Sequence, residues 1–457
     1  MLHHSSEKGQ ALIIITLAAI GLFGFTALAI DGGMVFSDRR HSQNASDTAA
    51  FAAALARVRT NPDWKQVGLD RAASNDYTNS GTTEVEVFLC SEWQALSGTS
   101  CEGLPAGTDP SEYVLVRIKS VVKLFFAPVM GWGEVTNHTD AIVHASPRKE
   151  SSWFGGKALV SAMKGCRSPG DNYDPFVVGG NGTTVVNNSG IFVNSICEPA
   201  FTDNGNSNVV TTSPSEGVCV VGGVQSWPPV TGVNPPPTQH CGSQIDITQY
   251  WMPDSDPRLL AYCSQPGDIS GSEGNYEATP GYFNKTGNQT FPDESPSGVL
   301  KLHRGIYCLY NGISLNGNWT ITTDLNDNDS HDSDSEGVFF YIPEGDVTFN
   351  GGSSLNVHAI DSTADNFPSE FLNYLIYIPP SNDAEVTITG SNDSTFTGTI
   401  LAPTSHITLD GSGNAFDLHT QIIGYNTTIT GGGNINITYD PDEQAPAVIL
   451  PNLSPTE

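Results

Sequence analysis

Twenty consecutive residues, Ala11 to Ile30, carry no charged side chain. As a helix rising about 1.5 Å per residue they reach about 30 Å, the thickness of a bilayer's hydrocarbon core. The run ends at Asp31-Gly32-Gly33. An Ala-rich, mildly polar stretch follows through Asp38-Arg39-Arg40, Gln43-Asn44 and Asp47-Thr48-Ala49-Ala50, and it reads as a continuing helix. Such a segment sets the setting for everything after it: the chain is presented at a membrane. A cleaved signal peptide is the rival reading, since Ala27-Leu28-Ala29 supplies small residues at a cleavage point. The run is long for that role, and within it and before it only Lys8 is basic. A retained anchor explains both the length and the lack of charge.

Orientation is less direct. Arg39, Arg40, Arg57 and Arg59 follow the run, so a literal positive-inside count would keep the bulk of the chain inside. The rest of the sequence argues for the outside. Residues 1–167 hold 15 Lys and Arg against 16 Asp and Glu, whereas residues 168–457 hold 4 against 33. The distal part is a polyanion that repels nucleic acid and anionic lipid and suits a solvated extracellular surface. Eight cysteines, an even number, occur without a Cys-x-x-Cys pair or a zinc-spaced His cluster. In a loop-rich, membrane-tethered chain they read as disulfides, the alternative being free buried thiols in a reducing compartment. Sequential pairing would join Cys90 to Cys101, Cys197 to Cys219 and Cys241 to Cys263, although spacing alone does not set connectivity. The expected location is the cell membrane, single-pass, with residues after 31 extracytoplasmic.

Several segments together resemble a known family. Gly9-Gln10-Ala11-Leu12, the apolar run, Ala29-Ile30-Asp31-Gly32-Gly33, Arg39-Arg40, Gln43-Asn44-Ala45, Asp47 and Ala49-Ala50 are similar to the TadE/TadG-like tight-adherence (Flp) pilus-assembly proteins. The likeness continues through Asp70-Arg71-Ala72-Ala73, Val85-Glu86-Val87, Tyr113-Val114-Leu115-Val116, Phe125 to Gly133 and Thr139 to Val143, covering about the first 147 residues. It implies a pilin-like α+β region in which the transmembrane helix runs on into a long helix beside a small sheet, and it implies other pilus-assembly proteins as partners. One departure matters. Processed prepilins carry Glu five residues into the mature chain, and counting from Gln10 this chain has Ile14. An uncleaved anchor rather than a filament subunit is the expectation.

From about residue 150 the texture changes to short β-branched runs closed by turn residues. Ile313-Ser314-Leu315-Asn316-Gly317, Val347 to Gly351, Val386 to Gly390, Ile407 to Gly411 and Thr427 to Gly431 share one pattern, an alternating strand followed by Gly. Their irregular period near twenty, with some intervals longer, is what a right-handed parallel β-helix or solenoid produces. The glycines are expected to supply positive φ at sharp corners. The intervening runs Val338–Ile342, Leu375–Ile378, Gly398–Pro403 and Gln421–Gly424 would form another face. This region also resembles the distal part of TadG-related proteins, in Gly190 to Ser195 and Gly398 to Pro403. An antiparallel sandwich is the competing architecture. The expected organisation is a cytoplasmic end at 1–9, a transmembrane helix at 10–30, the α+β region at 31–147, the β-solenoid at 148–450 and a tail at 451–457. Within the solenoid, Pro-rich 225–240 would be a crossing loop and acidic 324–336 an insertion.

Little of this points to catalysis. Asp327, Asp329, Asp332 and Asp334 could offer oxygens to Ca²⁺, but counted from Asp324 the EF-hand glycine position holds Asp329 and the bidentate position Ser335. A solvated loop is the plainer reading, so no cofactor is expected beyond Ca²⁺ at those aspartates. Lyases acting on uronates need Arg or Lys, and none occurs after Arg304. No spacing singles out a glycosidase carboxylate pair. His303, His358, His406 and His419 show no H-E-x-x-H pattern and are expected at surfaces or turns. The expectation is a non-enzyme with no catalytic residues and no nucleic-acid partner. It would be a membrane-bound pilus-assembly component whose solenoid could meet a surface or carbohydrate ligand. A stand-alone adhesin is the alternative, and a polysaccharide-active enzyme the third.

Overall fold

The computed structural model describes residues 8–455 except 106, 167–173, 214–215, 288, 293–297, 316–318, 326–336, 362–366, 391–393 and 412–415. The chain divides into two compact units, Met1–Lys149 with Leu450–Glu457, and Glu150–Ile449. The second unit is therefore inserted between two strands of the first. Residues 451–457, expected as a tail, instead contribute the strand Asn452–Pro455, which pairs antiparallel with residues 143–146.

In the first unit a helix α1, Lys8–Val58, is followed by α2, Trp64–Ala73, then β1, Thr83–Leu89, and α3, Cys90–Ser97. Strands β2, Tyr113–Lys123, and β3, Glu134–Ser146, complete an antiparallel sheet in the order β1-β2-β3 and then the final strand. Period-two alternation decides its faces. Val114, Val116 and Ile118 point to the helices, packing with Val85, Val87, Val143 and the buried alanines Ala45, Ala49 and Ala53 of α1. Tyr113 and Leu115 point the other way, onto the Cys90–Cys101 disulfide. The alanines recur every four residues, so one face of α1 is nearly smooth and lies close on the sheet. Gly68 extends the same logic: a Cβ there would sit 3.0 Å from Ala53 Cβ and 3.2 Å from Val87 Cγ2.

The second unit is sheet-rich, and three parallel ladders dominate it. In one, Ile313–Leu315, Val347–Phe349, Glu385–Thr389 and the distal parts of two long strands, Thr395–Asp410 and Phe416–Thr430, pair in succession. Ile313, Val347, Val386, Ile407 and Thr427 share one register, so the strands of the five-fold sequence pattern lie side by side. In the second ladder, Gly305–Leu309, Val338–Tyr341, Tyr374–Tyr377 and the middles of the long strands pair likewise. Asn275–Thr279, Gly298–Leu302, Trp319–Thr322 and Ser354–His358 lead into the third. Parallel pairing at this scale is not the pattern of an antiparallel sandwich.

Burial explains why the two kinds of run look different in sequence. Ile313-Ser314-Leu315 and its ladder partners alternate, with Ile313 and Leu315 buried and Ser314 partly exposed. Val338–Tyr341 is buried throughout, because its outer residues Phe339 and Tyr341 are covered by Tyr250, Leu259, Phe371 and their neighbours. A strand covered on both faces reads as a continuous apolar run.

The order of strands in each ladder is not the order of the chain. Phe416–Thr430 pairs with Leu159–Ser161 and Phe176–Val178, and Ile435–Thr438 pairs with Thr183–Asn187. The first strands of the unit thus stack on its last ones, and the ladders run on through Ile191–Val193 and Val218–Val220. The Pro-rich segment 225–240, read as a crossing loop, carries the terminal strands Val233–Asn234 and Thr238–Gln239. Proline lacks an N–H and is tolerated at such an edge. The opposite end is closed by a hairpin, Asp268–Ser272 against Asn275–Thr279.

Two expectations need correction. Of the corner glycines, Gly431 has positive φ, at 99°, but Gly351 and Gly411 do not. Crowding between stacked corners explains Gly351, where a Cβ would lie 2.7 Å from the Gly390 carbonyl. The cysteine pairing also differs. Cys90–Cys101 forms, but Cys197 bonds Cys166 rather than Cys219, Cys219 bonds Cys241, and Cys263 bonds Cys308. Ladder geometry is the cause: Leu159–Ser161 lies beside Ile191–Val193, and Cys219 beside Thr238, so cysteines on adjacent rows meet.

Candidate membrane-anchoring site

At about 1.5 Å per residue, the 51 residues of α1 extend about 75 Å. Its first part buries nothing in the protein: Leu12 is 70% exposed, Phe23 77% and Leu28 71%. An apolar surface of this size is unfavourable in water and matches a hydrocarbon phase. Burial begins abruptly at Asp31, which is 5% exposed.

Asp31 is engaged by the β2–β3 hairpin. Its carboxylate accepts backbone N–H bonds from Phe125 at 2.9 Å, Phe126 at 3.0 Å and Ala127 at 2.7 Å. These donors open the short 3₁₀ turn Ala127–Met130, whose first N–H groups have no partner within the turn. Two turns further along α1, Asp38 repeats the device. Its Oδ2 accepts from Ser120 Oγ at 2.5 Å and from Asn137 Nδ2 at 2.6 Å, and its Oδ1 from Tyr77 Oη at 3.2 Å. Burial and the adjacent Asp38 charge push the Tyr77 hydroxyl up to about 12. At the far end Arg57 donates to the Ala145 carbonyl at 2.6 Å. Asp31, Asp38, Ser42, Ala45, Ala49 and Ala53 form one stripe at helical spacing. The long helix is therefore clamped to the sheet from Asp31 onward and left bare before it.

The other candidate residues fall elsewhere. Asp327, Asp329, Asp332 and Asp334 lie outside the described residues. Among the described residues no group of three or more His, Cys, Asp or Glu could hold a metal ion. His303 faces Glu277 at 3.1 Å and His419 faces Glu443 at 3.8 Å, both exposed. His406, expected at a surface or turn, is buried between Asn426 Oδ1 at 2.7 Å and Thr408 Oγ1 at 3.1 Å. Burial holds its imidazole below the usual value although the Asn426 hydrogen bond opposes this. A groove in the second unit is lined by Arg258, Tyr262, Gln265 and Ile306, and among the described residues no carboxylate lines it. Asp256 and Glu370 are both turned to Arg258, at 2.6 and 3.2 Å.

Sequence reading missed the roles of Asp31 and Asp38. Their spacing in register with the alanine stripe was the available signal. Residues 9–56 match the Tad family, described as Flp pilus-assembly TadE/G-like. This amino-terminal segment is TadE/G-like. The match spans the bare helix, both aspartates and the alanine stripe, and it agrees with the resemblance read from Gly9 to Ala50. No curated protein and no solved structure matches the chain. The apolar helix and the TadE/G-like segment together fit a membrane-anchored pilus-assembly protein.

Proposed function

We propose that this chain is a single-pass, non-enzymatic component or assembly factor of a Flp tight-adherence pilus system. Residues 10–30 cross the membrane, and the residues after 31 lie outside the cytoplasm. There they present a right-handed parallel β-helix whose acidic surface is the working face. The observation that carries the reading is the coincidence of the TadE/G-like match with a helix that is bare up to Ile30 and clamped from Asp31. The three parallel ladders support the β-helix. Four disulfides support an oxidising compartment. Ile14 in place of glutamate supports an assembly role over a place in the filament.

Protease shaving of intact cells tests the orientation: the acidic second unit is released if it is outside, and its full protection would place the bulk of the chain inside. Intact mass of the mature protein tests processing. A retained anchor keeps residues 1–30, loss of 1–9 would indicate pilin-type handling, and loss of 1–29 a signal peptide.

A further inference from the structure

The β2–β3 hairpin ends in ten uncharged residues, Leu124-Phe125-Phe126-Ala127-Pro128-Val129-Met130-Gly131-Trp132-Gly133. They lie between Lys123 and Glu134, which oppose each other in the last register position of the hairpin. The segment is folded: Leu124 N–H bonds the Gly133 carbonyl at 3.0 Å, and Trp132 N–H bonds the Ala127 carbonyl at 3.2 Å. Yet two of its aromatic side chains stand largely in the open. Phe125 is 76% exposed and Trp132 73%. Phe36 of α1, little more than one turn past Asp31, is 67% exposed as well. An exposed apolar patch on one folded tip marks an interaction or membrane surface.

Position along α1 identifies what covers them. Asp31 fixes the backbone of Phe125, Phe126 and Ala127 to the helix at the first residue after the apolar run. If the run fills the hydrocarbon core, the hairpin tip lies at the headgroup level, where Trp and Phe side chains are favoured because one part is apolar and the surroundings are wet. Lys123 and the exposed Arg39 and Arg40 lie on the water side of the tip, placed to meet lipid phosphates. We propose that the hairpin tip 124–133 is a second membrane contact, seating Phe125 and Trp132 in the interface of the bilayer that α1 crosses, with Asp31 as the latch. The inference rests on the reading of residues 10–30 as a membrane span. Its consequence is a fixed height and tilt for the first unit, because a helix alone leaves rotation and tilt free, whereas two contacts do not.

The test uses the full chain reconstituted in vesicles of phosphatidylcholine with phosphatidylglycerol, with and without bromine on the upper acyl carbons. Flotation of the vesicles reports the span. Quenching of tryptophan emission by the brominated lipid, compared between the natural chain and Trp132→Phe, reports the tip. The expected result is flotation of both proteins, with quenching in the natural chain that falls by the whole share of Trp132, one of seven tryptophans. Equal quenching in both floated proteins would overturn the hairpin contact while leaving the span intact. Trp132 emission that shifts with protein density but not with bromine would also overturn it, in favour of a second copy of this chain. Failure to float would remove the span and the inference with it. Asp31→Ala in the same vesicles should abolish the Trp132-dependent quenching, whereas unchanged quenching would show that Asp31 is not the latch.

Discussion

Asp38 shows how one carboxylate can organise a helix–sheet contact. It gathers donors from three separate elements, Ser120 on β2, Asn137 on β3 and Tyr77 beyond α2. Removing it takes the Asp38 acceptor from buried Ser120 Oγ, a loss of about 1–3 kcal/mol for a donor so orphaned, while Asn137 Nδ2 keeps the Val35 carbonyl at 3.2 Å. Asp38→Ala should therefore lower the denaturation midpoint of the first unit by the equivalent of about 1–3 kcal/mol, read by chemical unfolding of the detergent-solubilised chain. Glu112 offers a pH signature. Hydrogen bonding from Lys149 comes first and His144 adds to it, outweighing the burial that opposes them, so its carboxyl is held below the ordinary value of 4.5. Because the folded value is depressed, the stability it contributes is present above pH 4.5 and is lost as pH falls through the folded value. Glu112→Gln should flatten the fall in melting temperature between pH 5 and about 3. An unchanged slope would assign the acid sensitivity elsewhere.

Glycine corners matter most at the level of the ladders. A Cβ on Gly180, whose φ is +84°, would lie 2.1 Å from the Gly431 carbonyl oxygen. Gly180→Ala should cost about 2–4 kcal/mol, combining left-handed strain with backbone displacement, measured as a lower melting temperature of the second unit. The five strand-plus-glycine segments were legible in sequence because their alternation repeats at matching positions, and the register of Ile313 through Thr427 follows it. The continuous runs beside them were also legible as a separate face. What sequence could not supply was the partner of each row. Leu159–Ser161 pairs with a strand some 260 residues away, and no local pattern encodes that. The cysteine errors have the same origin. Cys166 and Cys197 are joined by row adjacency across 31 residues, while a nearest-neighbour rule sees only sequence distance. At the anchor, the apolar run was plain in the sequence, whereas the grip of Asp31 depends on a hairpin 94 residues on.

Across the whole molecule the second unit is an insertion whose opening and closing strands meet inside its own ladders. Deleting residues 395–449 while keeping the final strand should unfold more than the deleted part. Leu159–Ser161, Phe176–Val178 and Thr183–Asn187 would each lose a paired neighbour. The expected readout is rapid hydrogen exchange at residues 159–187 in the deletion variant. Protection equal to that of the full chain would show that the early rows are stable alone. The same arrangement governs the moment of synthesis. A chain emerging from the ribosome makes residues 159–211 early but cannot close their edges until residues 416–438 arrive. Long-range pairing of this kind is slow to form. It also means that a prematurely terminated translation product keeps open strand edges for proteases to find, so the topology proofreads its own completeness.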